Sequence, residues 1–191
     1  NIPDEKVVSL PLTLLFEKLL FKLTKSQFLL RRLQHFLLRI FSFNASFYLE
    51  GSDIIHGWSG FSYDSLKWAK KKNIPFILER GSSHTLFQDD LLDKEYKSLN
   101  IRYLGSNKKV MKKELFEYEQ SDMIQIPSLF VRKSFLSQGF PKEKLFLNNF
   151  GANLKQFNFG EKLDNNFRVV YAGSLSIRKG IIYLLKAFKD A

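Results

Sequence analysis

The chain has no cysteine, which excludes a disulfide framework and any thiolate metal site and suits a reducing compartment. Histidine occurs only three times, at His35, His56 and His84, too scattered for a metal-ligand cluster. Proline (5) and glycine (10) are too sparse for a linker-rich or low-complexity chain, and no internal repeat is visible. Long uncharged apolar runs are missing too. The most apolar region, residues 11–43, is broken by Lys18, Lys22, Lys25, Arg31, Arg32 and Arg39, so no membrane-spanning helix is expected. Acidic residues are in deficit, 19 against 30 Lys plus Arg, giving a net charge of +11. That balance attracts polyanions: phosphorylated substrates, anionic lipid headgroups or nucleic acid. Nucleic acid is the weakest of these. There is no zinc finger or aromatic–glycine RNA-binding signature, and no basic run exceeds Lys70–Lys71–Lys72.

What is present is a core. Hydrophobic residues make up 45% of the 191, including 20 Phe, which indicates a globular fold. Leu12, Leu15, Phe16, Leu19, Leu20 and Leu23 follow helical spacing, as do Leu29, Leu30, Leu33, Phe36, Leu37, Ile40 and Phe41. Two amphipathic helices are expected, covering a sheet with one face and offering a basic face to solvent or to an anionic membrane. Residues 1–9 carry no signal-peptide pattern. Asn44 is placed to cap a short helix through Leu49, followed by a strand Asp53–His56 and a helix Tyr63–Lys72 ended by Asn73. Ile74–Glu79 reads as a strand buried on both faces, as in parallel sheets. Downstream follow a helix within Leu91–Leu99, a helix Lys109–Ser121, a strand Asp122–Pro127, a helix Phe130–Ser137 capped by Ser128, and a strand Lys144–Asn148.

This alternation predicts an α/β fold with a parallel, helix-flanked, Rossmann-like sheet. Such sheets bind ligands at the carboxyl ends of their strands, where His56, Gly57 and the loop Arg80–Gly81–Ser82–Ser83–His84 fall. Further on, Val169–Gly180 joins an apolar strand to a glycine–serine turn and a helix starting near Arg178. The dipole of that helix, with Gly173 and Lys179, suits a phosphate. A basic dipeptide taken alone is more often merely solvated, so the turn carries weight only with its surroundings.

Those surroundings supply a resemblance. Gly173, Ser174, Leu175, Lys179 and Gly180 match, in order, the start of the second domain of GT4-type glycosyltransferases of the GT-B fold. Asp122, Pro127–Ser128, Gly139, Pro141, Lys144, Gly151–Ala152–Asn153 and Phe157 follow the same pattern, with His56–Gly57, Glu79–Arg80–Gly81 and His84 upstream. Ser174 stands where the family usually has Arg, and Asn153 where Asp is usual. The resemblance implies a fragment: an acceptor-side domain over residues 1–152, a hinge over 153–166, and the beginning of a nucleotide-sugar domain over 167–191. It also implies transfer of a sugar from a UDP- or GDP-linked donor to a hydroxyl of a glycan or lipid-linked acceptor, with retention and without metal or other cofactor. The setting would be surface-glycan or glycolipid synthesis at the cytoplasmic face of a membrane. Gly173, Ser174, Arg178 and Lys179 would hold the donor diphosphate. His84 would be catalytic, with His56, Gly57 and Gly81 in the acceptor-side loops. Other nucleotide-sugar enzymes of the same fold, epimerases among them, and a non-enzymatic basic membrane-surface or nucleic-acid-binding module remain open alternatives.

Overall fold

The computed structural model describes residues 3–10, 15, 18–19, 27–157, 160–161 and 164–190. The first expected amphipathic helix, over residues 12–23, lies almost wholly outside these. The second is helix α1, Gln27–Ser46, which runs through Asn44 instead of restarting there. Its end is tied to the following helix α2, Tyr63–Lys72, where Asp64 N–H donates to Ser42 Oγ at 2.8 Å and Ser65 Oγ donates to the Ser42 carbonyl at 3.3 Å. No described helix is long and apolar enough to cross a membrane.

Strands β1 (Ile55–Trp58), β2 (Phe76–Glu79), β3 (Met123–Ile126) and β4 (Leu145–Leu147) form a parallel sheet in the order β1-β2-β3-β4. Between them lie α2, α3 (Thr85–Ser98), α4 (Lys108–Gln120) and α5 (Leu129–Leu136). Asn73 ends α2 in a left-handed conformation (φ 55°), and Ser128 Oγ caps α5 by accepting from Val131 N–H at 3.3 Å, both as expected. The first strand lies two residues later than expected, so Gly57 and Trp58 belong to it and not to a loop. α3 begins six residues before the expected Leu91.

Register puts Ile55, Gly57, Phe76, Leu78, Ile124, Ile126 and Leu145 on one face. The apolar members of this row form a single core with Leu66 and Ala69 of α2, Tyr118 of α4, and Val131 and Phe135 of α5. Right-handed crossovers that always step the same way leave their helices on one side, which a strand order following the chain reproduces. The opposite face carries His56, Trp58, Ile77, Glu79, Met123, Gln125 and Phe146, none of them buried. The expectation that Ile74–Glu79 is covered on both faces is therefore corrected: Phe76 and Leu78 are fully enclosed, whereas Ile77 and Glu79 are only partly covered.

Gly57 shows why this row is tight. A Cβ there would lie 2.4 Å from Ser62 Oγ and 2.5 Å from Phe76 Cζ. Gly57→Ala is expected to cost about 1–3 kcal/mol through overpacking, read as a lower denaturant midpoint. Phe76→Leu in the same background should recover part of it, and a fully stable single mutant would refute the close approach.

The chain divides into two compact units, Asn1–Gln88 with Gly105–Asn149, and Asp89–Leu104 with Phe150–Ala191. The sheet lies in the first. In the second, the expected strand at Val169 does not form: residues 165–172 belong to no helix or sheet among the described residues, and Val170 is 84% exposed. Its last helix, α6, spans Ile181–Lys189.

Candidate functional site

At the carboxyl ends of β1 and β2, the first unit concentrates its buried polar side chains. Ser59, Ser62, Arg80, Ser83, His84, Lys113 and Glu117 are all buried there. Buried charge survives only when paired and hydrogen-bonded. Glu117 Oε2 accepts the Gly60 N–H at 2.6 Å and Oε1 accepts the Ser62 N–H at 3.1 Å, while Lys113 Nζ donates to the Gly60 carbonyl at 2.8 Å. Gly60 is thus held at both its donor and its acceptor by two residues one helical turn apart on α4. Burial pushes the Glu117 carboxyl up to about 7, against the Gly60 N–H, the Lys113 charge and the Ser62 N–H, which favour the carboxylate. Burial also lowers the Lys113 pKa, with Glu117 opposing it.

Arg80 forms the second clamp. Its Nη1 lies 2.6 Å from Glu114 Oε1 and 3.3 Å from Ser59 Oγ, and Nε and Nη2 both donate to the Ser83 carbonyl at 3.2 Å. The guanidinium therefore sets the shape of the loop after β2, which contains the half-buried Gly81. Its carbon centre also stands 5.7 Å from the centroid of Tyr118.

His84 ends that loop. Its carbonyl accepts the Gln88 N–H at 2.9 Å and its Nδ1 accepts the Leu86 N–H at 3.3 Å, so it is the N-cap of α3. Its own N–H donates to Ser134 Oγ at 2.9 Å, and the ring packs against Tyr118 and Phe135 at 5.1 and 4.9 Å between centroids. Only 4% of the residue is exposed. Burial, helped by the Arg80 charge, lowers its pKa to about 4. A neutral imidazole that accepts at Nδ1 carries its proton on Nε2, so near neutral pH His84 is a hydrogen-bond donor there and not a base.

His56 lies in β1 on the less covered face, with Nε2 3.6 Å from Glu79 Oε2. Gly57, one residue on, faces the core. Asp122, which the sequence marks as a strand start, fastens the opposite end of the sheet: Oδ2 accepts the Phe76 N–H at 2.8 Å and Oδ1 meets Lys70 Nζ at 2.7 Å. The first unit thus gathers His84 with Arg80 and Gly81, while Lys113, Glu114 and Glu117 come from a helix whose charges sequence reasoning assigned to no role. Their spacing, with Lys113 and Glu117 one turn apart on α4, was the available signal.

In the second unit, Gly173 has φ 148° and its open side meets Tyr171, whose hydroxyl donates to the Ser174 carbonyl at 2.8 Å. Ser174 Oγ lies 3.4 Å from Ser176 Oγ. The helix expected near Arg178 starts at Ile181, because Ile177–Lys179 form a 3-10 turn closed by Gly180 at φ 71°. The Lys179 and Gly180 N–H groups are consumed within the turn, by Ser176 and Ile177 carbonyls at 3.0 and 2.8 Å. The exposed side chains of Arg178 and Lys179 remain as cationic groups, with no ion pair among the described residues. A search of family models, curated proteins and solved structures finds no match to this chain.

Proposed function

We propose that the chain belongs to a GT-B-type glycosyltransferase moving a sugar from a nucleotide-diphosphate donor to an acceptor hydroxyl on a glycan or lipid, at the cytoplasmic face of a membrane. The observation that carries this reading is the polar cluster around Arg80, His84 and Glu117 at the carboxyl edge of a parallel sheet, the place where open α/β sheets take ligands. The ordered run of residues from His56 to Lys179 adds to it. In this reading His84 offers its Nε2–H to a sugar hydroxyl and takes no proton. The departing diphosphate is stabilised by the ammonium of Lys179, with Arg178 as a second grip in place of the arginine that Ser174 replaces. A fixed cation at developing charge lowers the barrier without requiring a covalent step.

A second reading of His84 is favoured by its burial and its bond to the Leu86 N–H: a helix-capping core residue with no contact to substrate. His84→Asn, which keeps a capping acceptor but loses the Nε2 donor, separates the two. Turnover falling at least tenfold with an unchanged melting temperature supports the donor role, and unchanged turnover removes it.

The donor site is tested by UDP and GDP affinities of the whole natural protein. Lys179→Ala is expected to weaken one of them by about 1.5–3 kcal/mol, roughly ten- to a hundredfold, and more than Arg178→Ala does. Wild-type affinity for both nucleotides in Lys179→Ala would overturn the phosphate clamp.

A further inference from the structure

Helix α4 begins with an arrangement that helix stability alone disfavours. After the Asn107 cap come Lys108, Lys109, Lys112 and Lys113, with no acidic residue in the first turn. A helix N-terminus already carries partial positive charge, and Lys108/Lys112 and Lys109/Lys113 are like-charged pairs one turn apart, each unfavourable. Lys113 is used inward, on the Gly60 carbonyl. Lys109 and Lys112 have no ion pair among the described residues.

These lysines line a cleft of about 340 Å³ in the first unit, with Arg39 of α1, Tyr63 of α2, and Lys113 and Phe116 of α4. Its two rings, Tyr63 and Phe116, lie 4.8 Å apart at 46°. Arg39 is steered over Tyr63, 5.6 Å from the ring centroid, and anchored on one side by Asp64 at 3.5 Å. Two helices, α1 and α4, thus bring cations to one hollow floored by rings of α2 and α4. Among the described residues, a single carboxylate contacts Arg39 and none contacts Lys109 or Lys112.

We infer that this cleft is a binding site for a phosphate-bearing ligand, a phosphate mono- or diester. Lys109, Lys112 and the free side of the Arg39 guanidinium take the phosphate, and the Tyr63–Phe116 pair packs against its organic part. An anion here also relieves the repulsion at the start of α4. The site is separate from the donor turn and does not depend on its assignment. The same phosphate chemistry is offered by a small soluble ester and by a lipid headgroup.

The probes are glycerol 3-phosphate in solution and vesicles of phosphatidylcholine with or without phosphatidylglycerol. The variant is Lys109→Ala/Lys112→Ala, and the charge-matched control is Lys71→Ala/Lys142→Ala, exposed in the same unit. Saturable binding of glycerol 3-phosphate that weakens at least tenfold in the cleft variant, and less than twofold in the control, supports the site and a soluble ester. The same pattern seen only with phosphatidylglycerol vesicles supports it with a headgroup as the source. The cleft variant should melt no lower than wild type, because repulsion is removed. Equal losses in both variants, or no saturable binding to either probe, would overturn the inference.

Discussion

Glu117→Leu is expected to destabilise the first unit by about 3–5 kcal/mol, the largest single effect among its charged residues. The carboxylate is fully buried and bound to two backbone N–H groups, and its loss strands them together with the Lys113 ammonium. Chemical denaturation would show a lower midpoint. Adding Lys113→Met should recover the part caused by the stranded charge, but not the part owed to the Gly60 and Ser62 N–H groups, each worth about 1–3 kcal/mol. A wild-type midpoint for the single mutant would mean that the loop after β1 is not held by this clamp. Acidity adds a second check. With the folded pKa raised to about 7 from 4.5, the folded chain binds more protons than the unfolded one between those values. Stability from this group therefore falls as pH rises from 4.5 to 7 and stays low above. Glu117→Gln should abolish that decline.

Phe135→Ala is expected to cost about 3–5 kcal/mol, the usual range for emptying a fully buried phenylalanine site. Phe135 touches His84, Tyr118 and Phe140, so the cavity would open directly against the histidine ring. Water entering there would relieve the desolvation that depresses His84, moving its pKa from about 4 back toward 6.5. In the wild type, a histidine whose folded pKa is depressed stabilises the fold above pH 6.5, and this contribution is lost as pH falls toward 4. The mutant should lose this pH dependence along with its stability. NMR titration of the His84 ring measures the first change and denaturation at several pH values the second. A His84 pKa that stays near 4 in the mutant would show that the ring is dried by other neighbours.

Much of the sheet-bearing unit could be read from sequence because its local signals agree with its packing. Tyr63–Lys72 has helical spacing and a terminal Asn73 able to adopt positive φ, and Phe76, Leu78, Ile124 and Ile126 mark strands through their buried apolar side chains. Misreadings arose where tertiary contacts overruled local cues. Asn44 looks like a cap, but bonds from Ser42 to α2 carry α1 past it. α3 starts early because a histidine caps it, a residue that ordinary capping preference does not flag. Lys113 and Glu117 carry no local sign of their role, because it is the arrival of the Gly60 backbone that turns them inward. Before the turn at Gly173, apolar Val169–Tyr171 suggests a strand, yet a strand exists only with a neighbour to bond. Local sequence cannot supply that neighbour.

The order of strands along the sheet also governs how the chain can assemble. Because every strand pairs with the next one made, the sheet can grow in the direction of synthesis, with no strand threaded between two already joined. The intervals are unequal: Ile77 meets Met123 across a span about twice that separating Ile55 from Phe76 or Ile124 from Leu145. Loop closure makes this junction the entropically dearest, although a doubling of length adds only about 0.6 kcal/mol. α4 lies within that interval, and its Glu114 and Glu117 reach back to Arg80 and Gly60 beside the already paired strands. The Arg80–Glu114 ion pair and the Glu117 bonds to the Gly60 and Ser62 N–H groups therefore fasten the long loop while β3 finds its place, and refolding should slow most in variants that cut them.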